Sequence, residues 1–140
     1  MTLADYPYTA KDEPCKHNPA KVKAWNVGSF NITVGDEKSM QQVIAVKGPV
    51  AVAYQVASDF RNYKKGVYSS TICKNSPMDV NHAVTAVGYG EENGVKYWLV
   101  KNSWGETWGD QGYFKIEAFK NMCGIAVCNS FPVGVYDGSA

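Results

Sequence analysis

Residues 81–105 read NHAVTAVGYGEENGVKYWLVKNSWG, and this segment carries the strongest structural signal in the chain. Two runs rich in Val, Tyr, Trp and Leu flank the polar residues 91–94, which is the signature of a β-hairpin. His82 lies near one end of the segment and Asn102 near the other. The pattern therefore predicts two antiparallel strands whose outer ends carry an imidazole and a carboxamide.

The turn of this hairpin leaves two registers open. A turn centred on Glu92 places His82 opposite Asn102, with Cβ atoms roughly 4.5 to 5.5 Å apart. A two-residue turn at Asn93-Gly94 places Thr85 opposite Asn102 instead. Because a slip in register changes which side chains meet, the sequence does not choose between the two.

An imidazole beside a carboxamide is suited to acid–base chemistry. The amide oxygen accepts the proton on one ring nitrogen, which fixes the tautomer and leaves the other nitrogen facing a nucleophile. Trp104, two residues after Asn102, is placed to exclude water from that hydrogen bond. The alternative is that His82 is an ordinary strand-end histidine and Asn102 a turn former.

The rest of the sequence predicts an α+β fold. Asp36 as N-cap, an acidic first turn and an apolar stripe predict one helix that ends before Gly48-Pro49. Strands are predicted near residues 50–56, 83–89, 96–102, 113–117 and 131–135. We therefore expect a mostly antiparallel sheet, curled into a barrel, with one or two short helices.

Composition argues against several classes of partner. The 14 basic and 13 acidic residues give a net charge of +1, so we expect no nucleic-acid or membrane-surface partner. The longest apolar runs are far short of a bilayer span. Four cysteines without a Cys-x-x-Cys pair favour disulfides in an oxidising compartment over a zinc site. We expect no metal and no cofactor.

Motifs throughout the chain resemble those of papain-like cysteine peptidases. His82 lies in a segment similar to the family's His motif, and Asn102 in a long segment, residues 97–114, similar to its Asn motif. The likeness covers essentially the whole chain and is greatest to the cathepsin H group of the family. Further matching segments are Tyr6-Pro7-Tyr8, Gly48-Pro49-Val50, residues 63–68 and residues 121–126.

The resemblance implies a fold and a set of site residues. The fold is the right-hand β domain of the papain-like architecture. His82 is the acid and base and Asn102 its orienter, while Trp104 shields both and Trp108 walls one side of the cleft. The implied substrate pocket is lined by Ala53, Val80, Ala83 and Cys128. Peptides or proteins are the implied substrates, and the small, apolar pocket residues predict acceptance of bulky apolar side chains.

One departure from the family is as important as the match. The family's nucleophilic cysteine lies in a Gln-x-x-x-Cys-Gly-Ser-Cys-Trp type of segment, which this sequence lacks. We therefore expect residues 1–22 to end the helical half and cross to the β half, and residues 23–140 to be the β-barrel domain. The N-terminal half that bears the cysteine is the expected partner. Residues 1–5 do not resemble a signal peptide, so Met1 is interpreted as an added initiator or an internal residue.

The resemblance also implies a role for each cysteine. Cys73 is expected to pair with Cys123. Cys15 matches a family cysteine whose partner lies in the missing half, so it is expected to be unpaired. Cys128 matches a cysteine that in the cathepsin H group holds a propeptide remnant by a disulfide. A buried free thiol is the alternative for Cys128.

Location, modification and two other functions complete the expectations. The disulfides and the resemblance favour a lysosome or an equivalent acidic vacuole, or secretion. Asn31-Ile32-Thr33 is an N-glycosylation sequon, although such triplets also arise by chance. The chain could instead come from a non-catalytic relative, or act as an isolated domain in binding or assembly.

Overall fold

The computed structural model describes residues 1–137. Within these residues the chain contains one α-helix, nine strands and three 3₁₀ turns, the turns lying at Pro19–Lys21, Phe60–Asn62 and Met122–Gly124. In chain order the other elements are β1 (Ala24–Trp25), β2 (Gly28–Asn31), α1 (Glu37–Val46), β3 (Val50–Tyr54), β4 (Val67–Tyr68), β5 (His82–Glu92), β6 (Val95–Lys101), β7 (Tyr113–Glu117), β8 (Ser130–Val133) and β9 (Tyr136–Asp137).

The β5-β6 hairpin has the tight two-residue turn. Glu92 pairs with Val95, and the intervening Asn93 and Gly94 have φ values of 53° and 80°. Two consecutive positive φ angles are the conformation of a type I′ turn, which Asn-Gly favours. The register with a turn centred on Glu92 is therefore wrong.

A β-bulge changes the alignment further along the hairpin. Ala86 pairs with Val100, but the next pair towards the turn is Gly88 with Leu99, so Val87 is an extra residue in β5. As a result Thr85 faces Lys101, not Asn102 as a regular ladder from the same turn would require. Because a shift of one residue exchanges the two faces of a strand, the bulge places His82 and Asn102 on the same face.

The hairpin lies at the centre of a seven-stranded sheet, in the order β2-β8-β3-β5-β6-β7-β4. The β3-β5, β3-β8, β5-β6 and β6-β7 pairs are antiparallel, and β4 pairs with β7 in parallel. The expected antiparallel sheet with a short helix is confirmed. The sheet does not close into the expected barrel, because β2 and β4 are its two ends and do not pair with each other among the described residues.

One face of this sheet buries the core. Alternate residues of β3, namely Val50, Val52 and Tyr54, are at most 2% exposed, and Trp98 and Val100 of β6 are fully buried. Period-2 burial of this kind is the mark of a sheet with one covered face. Each such apolar side chain contributes roughly 1.5 to 3 kcal/mol when fully buried.

Helix α1 begins where the sequence predicts. Asp36 is its N-cap, and the Asp36 carboxylate accepts hydrogen bonds from both the backbone N–H and the hydroxyl of Ser39, at 2.9 and 2.6 Å. These bonds hold the pKa of Asp36 below its usual value. Met40 is fully buried and anchors the helix to the core.

The first residue of α1, Glu37, is a buried carboxylate that links three parts of the fold. Its Oε2 accepts hydrogen bonds from the Trp98 indole N–H at 2.7 Å and from the backbone N–H of Phe119 at 2.6 Å. Its Oε1 accepts a third from the backbone N–H of Asn121 at 2.6 Å. Phe119 and Asn121 both have positive φ, 63° and 46°. The carboxylate therefore holds the strained segment at residues 119–121 against the first turn of α1.

The predicted disulfide between Cys73 and Cys123 is confirmed. It joins the loop before β5 to the 3₁₀ turn at Met122–Gly124. The two cysteines are 50 residues apart, and a loop of that length corresponds to about 4 kcal/mol of stabilisation in the chain-entropy model.

The chain divides into two compact units. Among the described residues, one contains 1–29 and 132–137, and the other contains Phe30–Phe131. Of the candidate site residues, only Cys15 lies in the first unit. Among residues 1–137, no helix combines the length and apolar character needed to cross a membrane.

Candidate active site

His82 and Asn102 are in direct contact. Nε2 of His82 lies 2.9 Å from Oδ1 of Asn102. His82 is half-buried at the start of β5, where it pairs with Tyr54 of β3. Asn102 directly follows β6, is 8% exposed, and donates its backbone N–H to the carbonyl of Gly112 at 2.9 Å. The two side chains therefore meet from adjacent strand ends on the core face of the sheet.

The hydrogen bonds of Asn102 assign the proton on His82. The backbone N–H of Ser103 donates to Asn102 Oδ1 at 2.8 Å, which identifies that atom as the amide oxygen. An oxygen of this kind only accepts, so Nε2 of His82 carries the hydrogen in their shared bond. Nδ1 is then the nitrogen that can take up or release a proton. This is the arrangement that a general acid–base histidine requires.

Aromatic rings enclose the imidazole. The Trp104 ring stacks on His82 with centroids 5.1 Å apart, and Tyr54 approaches edge-on at 5.7 Å. Trp108 contacts Trp104 at 4.8 Å. Burial raises the pKa of Tyr54, so its phenol stays neutral beside the imidazole.

The residues of the expected pocket lie on β3, at or just before the start of β5 and in the segment before β8. Ala53 of β3 pairs directly with Ala83 of β5, on the opposite face from Tyr54 and His82. Val80 lies against the 3₁₀ turn at Gly124, where an added Cβ would stand 3.1 Å from the Val80 Cγ1 atom. Cys128 lies two residues before Ser130, which pairs with Ala51 of β3, and it lines a cavity of about 200 Å³ together with Asn31, Ile32, Val34, Val127, Asn129 and Ser130.

The two remaining cysteines are exposed thiols. Cys15 and Cys128 are free among the described residues. Neither forms a hydrogen bond with His82, whose described hydrogen bond is to Asn102. Within residues 1–137, no cluster of three or more His, Cys, Asp or Glu side chains is arranged to hold a metal ion.

Two residues near these elements were not singled out by the sequence. Glu37 is expected at a helix start but not as a buried acceptor for Trp98, because 61 residues separate the two. Arg61 lies with its Cζ 5.6 Å from the Trp104 ring centroid. Neither contact has a periodic or motif signal, since each joins segments distant in sequence.

Comparisons with known proteins place this chain in a family. The family described as "Papain family cysteine protease" matches residues 1–133. Pro-cathepsin H from Medicago truncatula is 59% identical over 128 residues, which are 91% of this chain and 37% of that protein. Pro-cathepsin H from Bos taurus is 54% identical, covering 91% of this chain and 38% of that protein. The chain thus spans less than two fifths of the length of these curated relatives.

Solved structures support the same assignment. A digestive procathepsin L2 proteinase from the Tenebrio molitor larval midgut has a TM-score of 0.86 and 44% identity, covering 94% of this chain and 42% of that one. The bromelain protease from Ananas comosus has a TM-score of 0.83 and 39% identity, covering 94% of this chain and 61% of that one. With a family match over almost every residue and a histidine–asparagine pair in contact at its strand ends, the chain belongs to the papain family of cysteine proteases.

Proposed function

We propose that this chain supplies the acid–base histidine and its orienting amide to a papain-like cysteine peptidase. The observation that carries the proposal is the 2.9 Å contact between His82 Nε2 and Asn102 Oδ1 in a member of this family. The nucleophilic cysteine is contributed by a half of the enzyme outside these 140 residues. We refer to this chain together with that half as the assembled enzyme.

The proposed reaction is hydrolysis of a peptide bond through an acyl-enzyme. The cysteine thiolate attacks the peptide carbonyl while Nδ1 of His82, protonated, gives its proton to the leaving amine. Water then attacks the acyl carbon, Nδ1 takes a proton from that water, and the C–S bond breaks, which releases the acid product and restores the thiolate beside the imidazolium. Asn102 holds the imidazole in one orientation throughout, and Trp104 keeps water from one of its faces.

Substrate-binding roles extend the proposal to the surrounding residues. Trp108 walls one side of the cleft, supported by its contact with Trp104. Ala53 and Ala83, which face each other across β3 and β5, contribute small side chains to a pocket for bulky apolar groups. We assign Val80 and Cys128 to the same pocket: Val80 lies three residues before Ala83, and Ser130, two residues after Cys128, pairs with Ala51, two residues before Ala53. Peptides and proteins are the substrates.

The test of this function is a thiol-dependent peptidase assay. The assembled enzyme is purified from its native source with an antibody against this chain. It is expected to hydrolyse aminoacyl or peptidyl amides and to lose that activity after alkylation of its thiols. The 140-residue chain produced separately is expected to be inert, because its thiols are in a disulfide or exposed and not bonded to His82. Turnover by the separate chain, or alkylation-resistant turnover by the native enzyme, would refute the proposal.

The exposed thiols are proposed to be attachment points. Cys15 pairs with a cysteine of the missing half, and Cys128 holds a propeptide remnant next to its 200 Å³ cavity. Intact mass of the native protein, measured with and without reduction, is expected to show a short peptide released from Cys128. A Cys128→Ser variant should lack that peptide and keep the Cys73–Cys123 bond. Release of no peptide on reduction would contradict the attachment at Cys128, and a free thiol at Cys15 in the non-reduced native protein would contradict the pairing of Cys15.

Location and modification are proposed on chemical grounds. The disulfide favours an oxidising compartment, either a lysosome or equivalent acidic vacuole, or the exterior of the cell. Asn31 is exposed at the end of β2 and is therefore accessible to a glycosyltransferase.

A further inference from the structure

Arg61 places a positive charge beside the candidate active site. Its Cζ lies 5.6 Å from the centroid of the Trp104 ring, and that ring stacks on His82 at 5.1 Å. A guanidinium over an indole is attracted by the quadrupole of the ring, which restricts where the charge can lie. Arg61 and His82 therefore both contact the Trp104 ring.

The backbone that carries Arg61 is firmly held, while its side chain is exposed. The preceding residue, Phe60, is fully buried and contacts the rings of both Trp104 and Trp108. The carbonyl oxygen of Arg61 accepts a hydrogen bond from the Trp108 indole N–H at 2.9 Å. The side chain itself is exposed. The positive charge is thus exposed to solvent on a side chain whose backbone is held in place.

No carboxylate of the described residues pairs with Arg61. The five ion pairs in this part of the chain all use lysines. Asp59, two residues away, accepts a hydrogen bond from the Tyr68 hydroxyl at 2.9 Å. The guanidinium is thus without a carboxylate partner among the described residues, and its planar fork matches the two oxygens of a carboxylate, the anionic group that peptide side chains carry.

We infer that Arg61 binds an acidic side chain on the leaving segment of the substrate. This inference rests on the proposed function and names a substrate feature of the same site. In that reaction the leaving amine must come within hydrogen-bonding distance of Nδ1 of His82. The residues that follow the scissile bond therefore begin beside the imidazole and its stacked Trp104. A carboxylate on the first or second of them is the group that meets Arg61.

The experiment compares matched peptide substrates in the assembled enzyme. Each pair carries Glu or its neutral isostere Gln at the first or the second position after the scissile bond. We expect the wild type to favour the Glu peptide by about two- to fivefold in kcat/KM at one of these positions, which is the range for an exposed ion pair. The difference should appear in KM, because the charge does not act on the reacting atoms. Added salt should weaken it.

Variants separate a role in specificity from a role in structure. Arg61→Gln should bring the Glu to Gln ratio close to one, Arg61→Glu should invert it, and Arg61→Lys should retain part of it. Lys47→Gln removes an exposed positive charge at the end of α1 and should leave the ratio as in the wild type. A ratio unchanged by Arg61→Gln would overturn this inference and leave the proposed function intact. Absence of turnover in the wild-type assembled enzyme would overturn both.

Discussion

Replacing His82 with alanine in the assembled enzyme is expected to lower kcat by about 10³-fold or more. The variant loses the group that activates the thiolate and protonates the leaving amine, and general acid–base contributions of 10² to 10⁴ are typical of such residues. Because the imidazole contributes mainly in the transition state, KM should change much less than kcat. Steady-state kinetics with one peptidyl amide substrate measure both constants.

The chain offers a matched control for this substitution. His17, the other histidine, is exposed and lies in the first compact unit, so His17→Ala should leave kcat within about twofold, as surface substitutions far from a site usually do. Asn102→Ala should lower kcat less than His82→Ala, because it removes the orienter and not the proton-transfer group. Retention of most of the wild-type kcat in His82→Ala would rule out the assigned role.

Replacing Glu37 with alanine is expected to lower the free energy of unfolding of the 140-residue chain by about 3 to 5 kcal/mol. The substitution leaves three N–H donors without their acceptor, and each buried unsatisfied donor costs about 1 to 3 kcal/mol. One of them belongs to Trp98, which is fully buried. It also removes the support of Phe119 and Asn121 in their positive-φ conformations. Since domains are stable by only about 5 to 15 kcal/mol, this is a large fraction of the total.

Urea unfolding followed by tryptophan fluorescence measures this loss. Glu37→Gln should cost less, about 1 to 3 kcal/mol, because its oxygen can still accept two hydrogen bonds while its NH₂ group opposes the third donor. Glu106→Ala, at an exposed glutamate, should change stability by no more than about 0.5 kcal/mol. Equal unfolding midpoints for Glu37→Ala and Glu106→Ala would show that the buried carboxylate does not hold these segments.

Features that depend on near neighbours in sequence were predicted well. The hairpin follows from two β-prone runs around Asn93-Gly94, and α1 follows from Asp36 and the apolar stripe behind it. The predicted pairing of Cys73 with Cys123 depended on family resemblance, and the structure contains it. The barrel was wrong because strand patterning shows which residues face the core but not whether the end strands β2 and β4 meet.

The amino-acid sequence indicated the family and the mostly antiparallel sheet and singled out His82 and Asn102, since these inferences rest on motifs and on period-2 patterning. Only the tertiary structure showed how that pair meets, because the extra residue at Val87 shifts the ladder by one and a shift of one exchanges faces. It alone revealed the contact of Arg61 with the Trp104 ring and the hydrogen bond from the Trp98 indole N–H to Glu37. These contacts join segments tens of residues apart, so no local pattern encodes them, and they exist only once the sheet has packed.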